Sequence, residues 1–369
     1  VVAYNYRGKG HTDMTDYKSA INDYTKAIEI DPTFKIAFNN RGLAKAALGN
    51  HIGAIADYDQ ALVLSPQYKS AYNNRALSKA AIKDYESAIS DYDKIIALDP
   101  QYKLAYNNRG IAKVALSNYG SAITDFDRAV EIDPNYEAAY NNRAIAKSGM
   151  GEFEAAIADF DALLQLNPKH ETAFESRGSA LLALEKYALA IADFTQALKN
   201  NSNNKAAYYN RAIAKHYLND YKGAVDDLSK TINIDPNYAA AYNQKGKAYT
   251  ALDKPADAIK EFNKAIELDP NYTMAYYNRA IAKRGSDDLK GAVADYKKTI
   301  DLDPYFVDAY NNRGTVRMKL GEFVDALYDF DKVVELDPSH KMALYNRALI
   351  KDNFGEHRDA IVDFGRVLS

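Results

Sequence analysis

Cysteine is absent from this chain of 369 residues. That excludes disulfides, thiolate zinc sites and cysteine nucleophiles together. It does not fix the compartment, because a repeat copied from a cysteine-free unit inherits the absence. A long apolar run is missing as well; nothing approaches the ~20 residues that a membrane-spanning helix needs. An excess of one charge is missing too, since 47 Lys and Arg are interleaved with 50 Asp and Glu for a net charge of −3. Such a balance leaves no electrostatic footprint for nucleic acid or an anionic membrane. The histidines (His11, His51, His170, His216, His340 and His357) are scattered, no two at metal-ligand spacing on one helix. No phosphate loop, nucleophile elbow or dinucleotide fingerprint occurs. The expectation is therefore a non-enzyme without metal or cofactor. The chain opens at Val1 with no initiator Met and no signal-peptide n-region or h-region, which reads as a processed form or a segment of unknown compartment.

What is present is a period. Ala105-Tyr106-Asn107-Asn108-Arg109-Gly110-Ile111-Ala112-Lys113 is echoed from Ala71 to Lys79 and again, at the same interval, from Ala139 to Lys147. The phrase recurs without insertion or deletion from Tyr4 to Leu344, giving ten full units and a shorter last one. A fixed period of this size overrides ordinary domain counting and implies a single stacked array over residues 1–369.

One unit, Lys103 to Tyr136, shows how it folds. Apolar residues at Leu104, Ala105, Tyr106, Ile111, Ala112 and Ala115 suit a helix, and a break follows near Ser117-Asn118. A second series at Ala122, Ile123, Phe126, Ala129, Val130 and Ile132 keeps spacings of three and four. It stops at Asp133-Pro134, where proline cannot extend the helix and is expected to open the next one at its first turn. Position 16 of the unit is a good N-cap for the second helix in most repeats (Asp16, Asn50, Asp84, Asn118, Asp220, Asp288). Each unit is thus an antiparallel hairpin of helices A and B, in which facing positions sum to about 30. Position 4 is aromatic in ten units, position 20 is Ala in all eleven, and position 24 carries a ring in ten. No hairpin of this size buries its faces alone, so stability comes from neighbours.

The spacing of aromatic, Gly or Ala, Ala, aromatic and Pro resembles the tetratricopeptide repeat over the whole chain. The resemblance implies an all-α, right-handed superhelical solenoid of eleven 34-residue helical hairpins. Two departures are systematic. Where the family usually has Leu, position 7 is Arg in ten units and Lys245 in the other. Where it often has Tyr, position 11 is mostly Lys (Lys45, Lys79, Lys113, Lys147, Lys215, Lys283, Lys351).

The position-7 series has an acidic counterpart at position 23, and 7 and 23 sum to 30. The expected ion pairs are Arg41 with Asp57, Arg75 with Asp91, Arg109 with Asp125 and Arg143 with Asp159. The unit with Lys245 is also the one with Glu261, a compensated exchange inside one sequence. A clamp locking helix A to helix B explains these residues better than a ladder of anion sites.

Position 6 is Asn40, Asn74, Asn108, Asn142, Asn210, Asn278, Asn312 and Asn346. Asparagine is a poor residue for a helix interior, so the series needs a cause. One cause is a hydrogen bond to the neighbouring repeat. The other follows from the resemblance: tetratricopeptide solenoids carry asparagines here on the inner face of helix A, and in the O-linked N-acetylglucosamine transferases such a ladder holds the main chain of extended peptides. An amide offers donor and acceptor, and grips a backbone without reading its sequence. Position 5 adds further asparagines and Tyr209, Tyr277 and Tyr345, while position 9 is mostly aliphatic (Leu43, Leu77, Ile111, Ile145, Ile213, Ile281, Leu349). An amide-lined groove with apolar stripes suits an extended chain. The resemblance also offers a clamp for a terminal carboxylate, made of several groove lysines and arginines, but no matching local cluster is found.

Some places are irregular. Repeat six has Glu175 and Ser176 for the asparagine pair, Leu181 for Lys, and the polar run 199–204 for the Asp-Pro loop, which reads as a softer joint. Pro255 is expected in the first turn of a helix B, and Gly285-Ser286 at a turn. Asn200 and Asn271 head glycosylation sequons, both placed in inter-repeat loops. The expected function is a protein-interaction scaffold holding a peptide or protein partner in its groove. The alternative is a structural protomer whose uncapped ends stack head-to-tail into a homopolymeric filament, glycosylated if extracellular.

Overall fold

The computed structural model describes residues 1–368. Among them are 22 α-helices, α1 to α22 in chain order, and no strand; odd-numbered helices are the A helices of successive repeats and even-numbered ones the B helices. The chain divides into two compact units, Val1–Leu184 and Glu185–Ser369. The first holds five hairpins and the A helix of repeat six, α11 (Ala173–Ala183). The second begins with that repeat's B helix, α12 (Tyr187–Asn200), and continues with five hairpins. The division falls at the turn of repeat six, ahead of the 199–204 run. That run keeps the loop geometry of the others, with Asn201 Oδ1 accepting from Asn203 N at 3.0 Å as Asp133 Oδ1 accepts from Asn135 N at 3.0 Å.

Repeat four shows why the pattern folds as it does. Helix α7 (Lys103–Ala115) and helix α8 (Tyr119–Ile132) are joined through Leu116, Ser117 and Asn118. Ser117 has φ of 59°, and Asn118 N donates back to Lys113 O at 2.9 Å, closing the open carbonyls of α7. The same position is left-handed in all eleven repeats, with φ from 55° at Asp253 to 84° at Gly355, yet only four of the eleven residues are glycine. Side-chain N-caps follow at Asp16, Asn50, Asp84, Asp220 and Asp288, each accepting from the N–H three residues on; Asn118 makes no such bond. Pro255 does stand in the first turn of α16 (Pro255–Leu268). Pro134 does not open a helix: it lies in the turn before α9 (Glu137–Gly149), whose N-cap is Tyr136. Asn271 is exposed in a loop, whereas Asn200 is the exposed last residue of α12 and not a loop residue.

The core of each unit is a stack of small and ring-bearing layers. The position-20 alanines and the rings at position 24, from Tyr58 to Phe330, are buried. Helix A comes so close to that ring that a Cβ placed on Gly110 would lie 2.6 Å from Phe126. Ala76 and Ala144 occupy the same place in other repeats, so a methyl is the upper limit there.

Candidate functional site on the helix A face

The position-7 cations meet the position-23 acids in every regular repeat the structure describes by distance. Arg41–Asp57 is 2.7 Å; Arg75–Asp91, Arg109–Asp125 and Arg143–Asp159 are each 2.5 Å; Lys245–Glu261 is 3.1 Å. The fork is bidentate: Arg109 Nε and Nη2 donate to the two carboxylate oxygens of Asp125. Two further partners were not legible in the sequence. The remaining nitrogen, Arg109 Nη1, donates to Asp93 of the preceding repeat at 2.6 Å, and Arg75, Arg143 and Arg347 do the same with Asp59, Asp127 and Asp331. Position 11 supplies a second cation to the position-23 acid, as in Lys113–Asp125 at 2.8 Å. Each of these arginines therefore holds one acid ahead of it in its own repeat and another, equally far back along the chain, in the repeat before. Burial alone would lower the Arg109 pKa, but its hydrogen bonds to Asp125 and Asp93 outweigh that and hold the guanidinium above its ordinary value.

These networks use up the regular cations, and the opposite edge of helix A carries the ladder. Asn74 Nδ2 donates to Asn39 Oδ1 (3.0 Å), Asn39 Nδ2 to Asn40 Oδ1 (3.3 Å), and Asn40 Nδ2 to Asn5 Oδ1 (3.1 Å). Asn142 reaches Asn107, Asn278 reaches Asn243, and Asn312 reaches the hydroxyl of Tyr277. Asn108 accepts from Asn107, while Asn210 and Asn346 are half-buried at the equivalent places. Position 6 thus bonds position 5 of the repeat before at these five junctions, whereas the buried Oδ1 atoms of Asn73, Asn141 and Asn311, also at position 5, have no hydrogen-bond partner among the described residues. The position-5 partners Asn39, Asn107 and Asn243 are themselves buried, so they do not line a groove. Tyr209 and Tyr277 likewise turn inward, onto Tyr238 (ring centroids 5.1 Å apart) and Phe306 (4.9 Å). Each ladder amide keeps one hydrogen or one lone pair beyond these bonds.

What the face does expose is aliphatic. Leu43, Leu77, Ile111 and Ile145 are 42 to 47% exposed, one per repeat. Between successive A helices lie hollows built in the same register. One of about 140 Å³ is lined by Leu43, Ala46, His51, Tyr58, Asn74, Leu77 and Ser78. Another of about 250 Å³ is lined by Ile145, Ser148, Phe153, Phe160, Glu175, Ser176, Ser179 and Ala180. A third, of about 240 Å³ in the second unit, has His216, Lys247, Thr250, Ala251, Phe262, Asn278 and Ile281. Among the described residues no group of three or more His, Asp or Glu could hold a metal ion, and no helix is long and apolar enough to cross a membrane.

Comparison with known families places the period. Residues 239–272 and 307–340 match a profile described as tetratricopeptide repeat; 73–137, 141–204 and 176–239 match a second of the same description; 11–49 match one described as TPR repeat. No curated protein matches the chain in sequence. Among solved structures, the C-terminal part of a TPR repeat-containing protein from Cytophaga hutchinsonii aligns with a TM-score of 0.54 at 22% identity, covering 64% of this chain and 97% of that one. A tetratricopeptide repeat protein from Parabacteroides merdae aligns with a TM-score of 0.52 at 21% identity, covering 67% and 97%. Both likenesses concern the fold.

Proposed function

This chain belongs to the tetratricopeptide repeat family, whose members are protein-interaction scaffolds, and from that premise we propose that its helix A face holds an extended peptide. The observation that carries this reading is the column of exposed aliphatic residues at position 9, repeated at each hollow. Four large apolar side chains left in water at a fixed spacing favour a partner that presents apolar side chains at intervals. The position-7 arginines and position-11 lysines of the same helices are already paired with aspartates. The face is therefore close to neutral there, and its occupant is an uncharged stretch of extended chain whose backbone meets the spare valences of the ladder amides. The ladder's own mutual bonds make it a structural device first.

The test uses a library of capped nonapeptides randomised among Ala, Leu, Val, Ser and Tyr. The full chain should retain a subset of them, and Leu77→Asp/Ile111→Asp should lose that retention with unchanged helix content. Retention that ignores this double substitution sinks the reading. Light scattering across a concentration range addresses the stacking alternative. A constant monomer mass counts against it, and mass rising steadily with concentration would replace peptide holding with self-assembly as the main role.

A further inference from the structure

On the edge of helix A away from the hollows, a regular arginine network is balanced. Arg109 and Lys113 are met by Asp125 and, from the repeat before, by Asp93, so two cations face two acids. The junction of repeats eight and nine breaks this balance. Arg279 and Lys283 share Asp295, but the backward partner of Arg279 Nη1 is a neutral amide, Asn263, whose Oδ1 accepts at 2.6 Å. Asn263 lines a cavity of about 430 Å³ between α15 (Ala239–Ala251) and α16, together with Tyr242, Lys245, Lys260 and Lys264. Glu261 pairs with Lys245 at 3.1 Å, and Glu267 pairs with Lys264 at 2.6 Å. Lys260 is exposed and makes no ion pair among the described residues. It stands at position 22, where repeats two, five, six and nine carry Ala56, Ala158, Ala192 and Ala294. Across the cavity and the junction beside it, five cations therefore meet three acids.

Two surplus positive charges at one place attract a dianion more strongly than a monoanion. Asn263 is set up to donate to it. Its Oδ1 is taken by Arg279, and both hydrogens on Nδ2 are without a partner among the described residues. Tyr242 is half-buried at the same wall, its hydroxyl donating to Pro236 O at 3.2 Å. We infer that this cavity binds a phosphate monoester, with the Lys260 ammonium and the Asn263 amide hydrogens on the phosphate oxygens. The Tyr242 ring packs against the group that carries the phosphate, since the cavity is larger than a bare phosphate fills. A phosphate monoester brings about −1.5 to −2 charges at pH 7 and three acceptor oxygens, which matches the surplus. A carboxylate brings one charge and leaves half of the surplus unmet. The phosphate is that of a modified side chain on a partner or of a free small phosphomonoester, and experiment separates the two. Tyr242 and Lys245 lie at positions 4 and 7, on the side of helix A opposite position 9, so the site stands whether or not a peptide occupies the exposed aliphatic column.

The test titrates the full chain with phenyl phosphate and with phenyl sulfate by calorimetry at low ionic strength. Phenyl phosphate should bind saturably and more tightly than the singly charged sulfate. Its affinity should rise with pH through the second phosphate ionisation near about 6, while that of the sulfate stays flat. Asn263→Asp installs the residue that repeats three and four carry at this position, as Asp93 and Asp127, and Lys260→Ala installs that of repeat two, so the fold already accommodates both. Asn263→Asp should weaken phenyl phosphate at least about tenfold, because it removes the amide donors and adds a negative charge. Lys260→Ala should weaken it by about three- to fivefold, the size expected of an exposed ion pair. No saturable binding, or unchanged binding in both variants, overturns the site. Equal affinity for phosphate and sulfate at pH 7 overturns the assignment to a dianion. Capped peptides bearing phosphoserine or phosphotyrosine, run beside phenyl phosphate, identify the source. Tighter binding of a phosphopeptide, lost in Asn263→Asp, supports a partner's side chain, and equal affinity supports a free phosphomonoester.

Discussion

Arg109 carries more of this structure than its place in a repeated phrase suggests. Its guanidinium keeps 18% of its side-chain surface exposed, whereas Asp125 beneath it keeps 4%. Removing the arginine leaves a buried carboxylate with Lys113 as its remaining cation. Arg109→Met should therefore cost about 3 kcal/mol, and Arg109→Met/Asp125→Leu should cost clearly less, because the double change leaves no stranded charge. Amide hydrogen exchange in α7 and α8 reads this locally, which suits an array whose parts open separately. Equal losses in the single and double variants would show that the pair is not the source. The forward half of this contact was legible, since ten Arg–Asp columns and one Lys–Glu column share a spacing. The backward half was not. Asp59, Asp93 and Asp127 sit among many carboxylates on solvated helix faces, and only the fold shows which ones a guanidinium reaches.

At the scale of the hairpin, the turn is the place where sequence and backbone disagree. All eleven position-15 residues are left-handed, but Lys83, Ser117 and five others bear the steric cost that glycine avoids. Ser117→Gly and Lys83→Gly should each stabilise their hairpin by about 0.5–1 kcal/mol, the strain removed less the extra freedom glycine gives the unfolded chain. Gly151→Val should go the other way by more than that. Urea midpoints of the three variants against the native chain test the sign. A destabilised Ser117→Gly would mean that the hydroxyl contributes something the geometry does not show. The helices themselves were plain in the sequence, because periodic alanines and rings mark one buried face. The turn's handedness was not, because seven of its eleven residues are types found in any loop. The asparagine ladder lies between these cases. Its period was visible, but that Asn40, Asn74, Asn142 and Asn278 bond an asparagine at position 5 of the repeat before, and that Asn5, Asn39, Asn107 and Asn243 are buried there, required the fold.

At the scale of the whole molecule, the polar contacts of one repeat reach, among the described residues, only into the repeats beside it. Deleting residues 103–136 would bring Arg143 against Asp93 in place of Asp127, and Asn142 against Asn73 in place of Asn107, with the same chemistry at both. That variant should keep its helix content and melt as steeply as the parent in circular dichroism. Deleting 103–119 removes a helix A alone, strands Asp125 and leaves two B helices in succession; helix content lost beyond the deleted residues, or broadened melting, is the expected result. A whole-repeat deletion that unfolds the chain would show that contacts beyond nearest neighbours matter.

The arginine's two equal reaches have a further consequence. A residue that looks equally far forward and back finds both its acids in any copy preceded by a repeat that carries the backward aspartate (Asp59, Asp93, Asp127, Asp161 or Asp331), so the junctions among those copies are interchangeable. Exchange between misaligned copies of the coding segment could then lengthen or shorten the protein by whole repeats without a new contact having to arise. The number of hollows, and with it the length of chain that could be held, becomes a quantity that heredity can tune in steps.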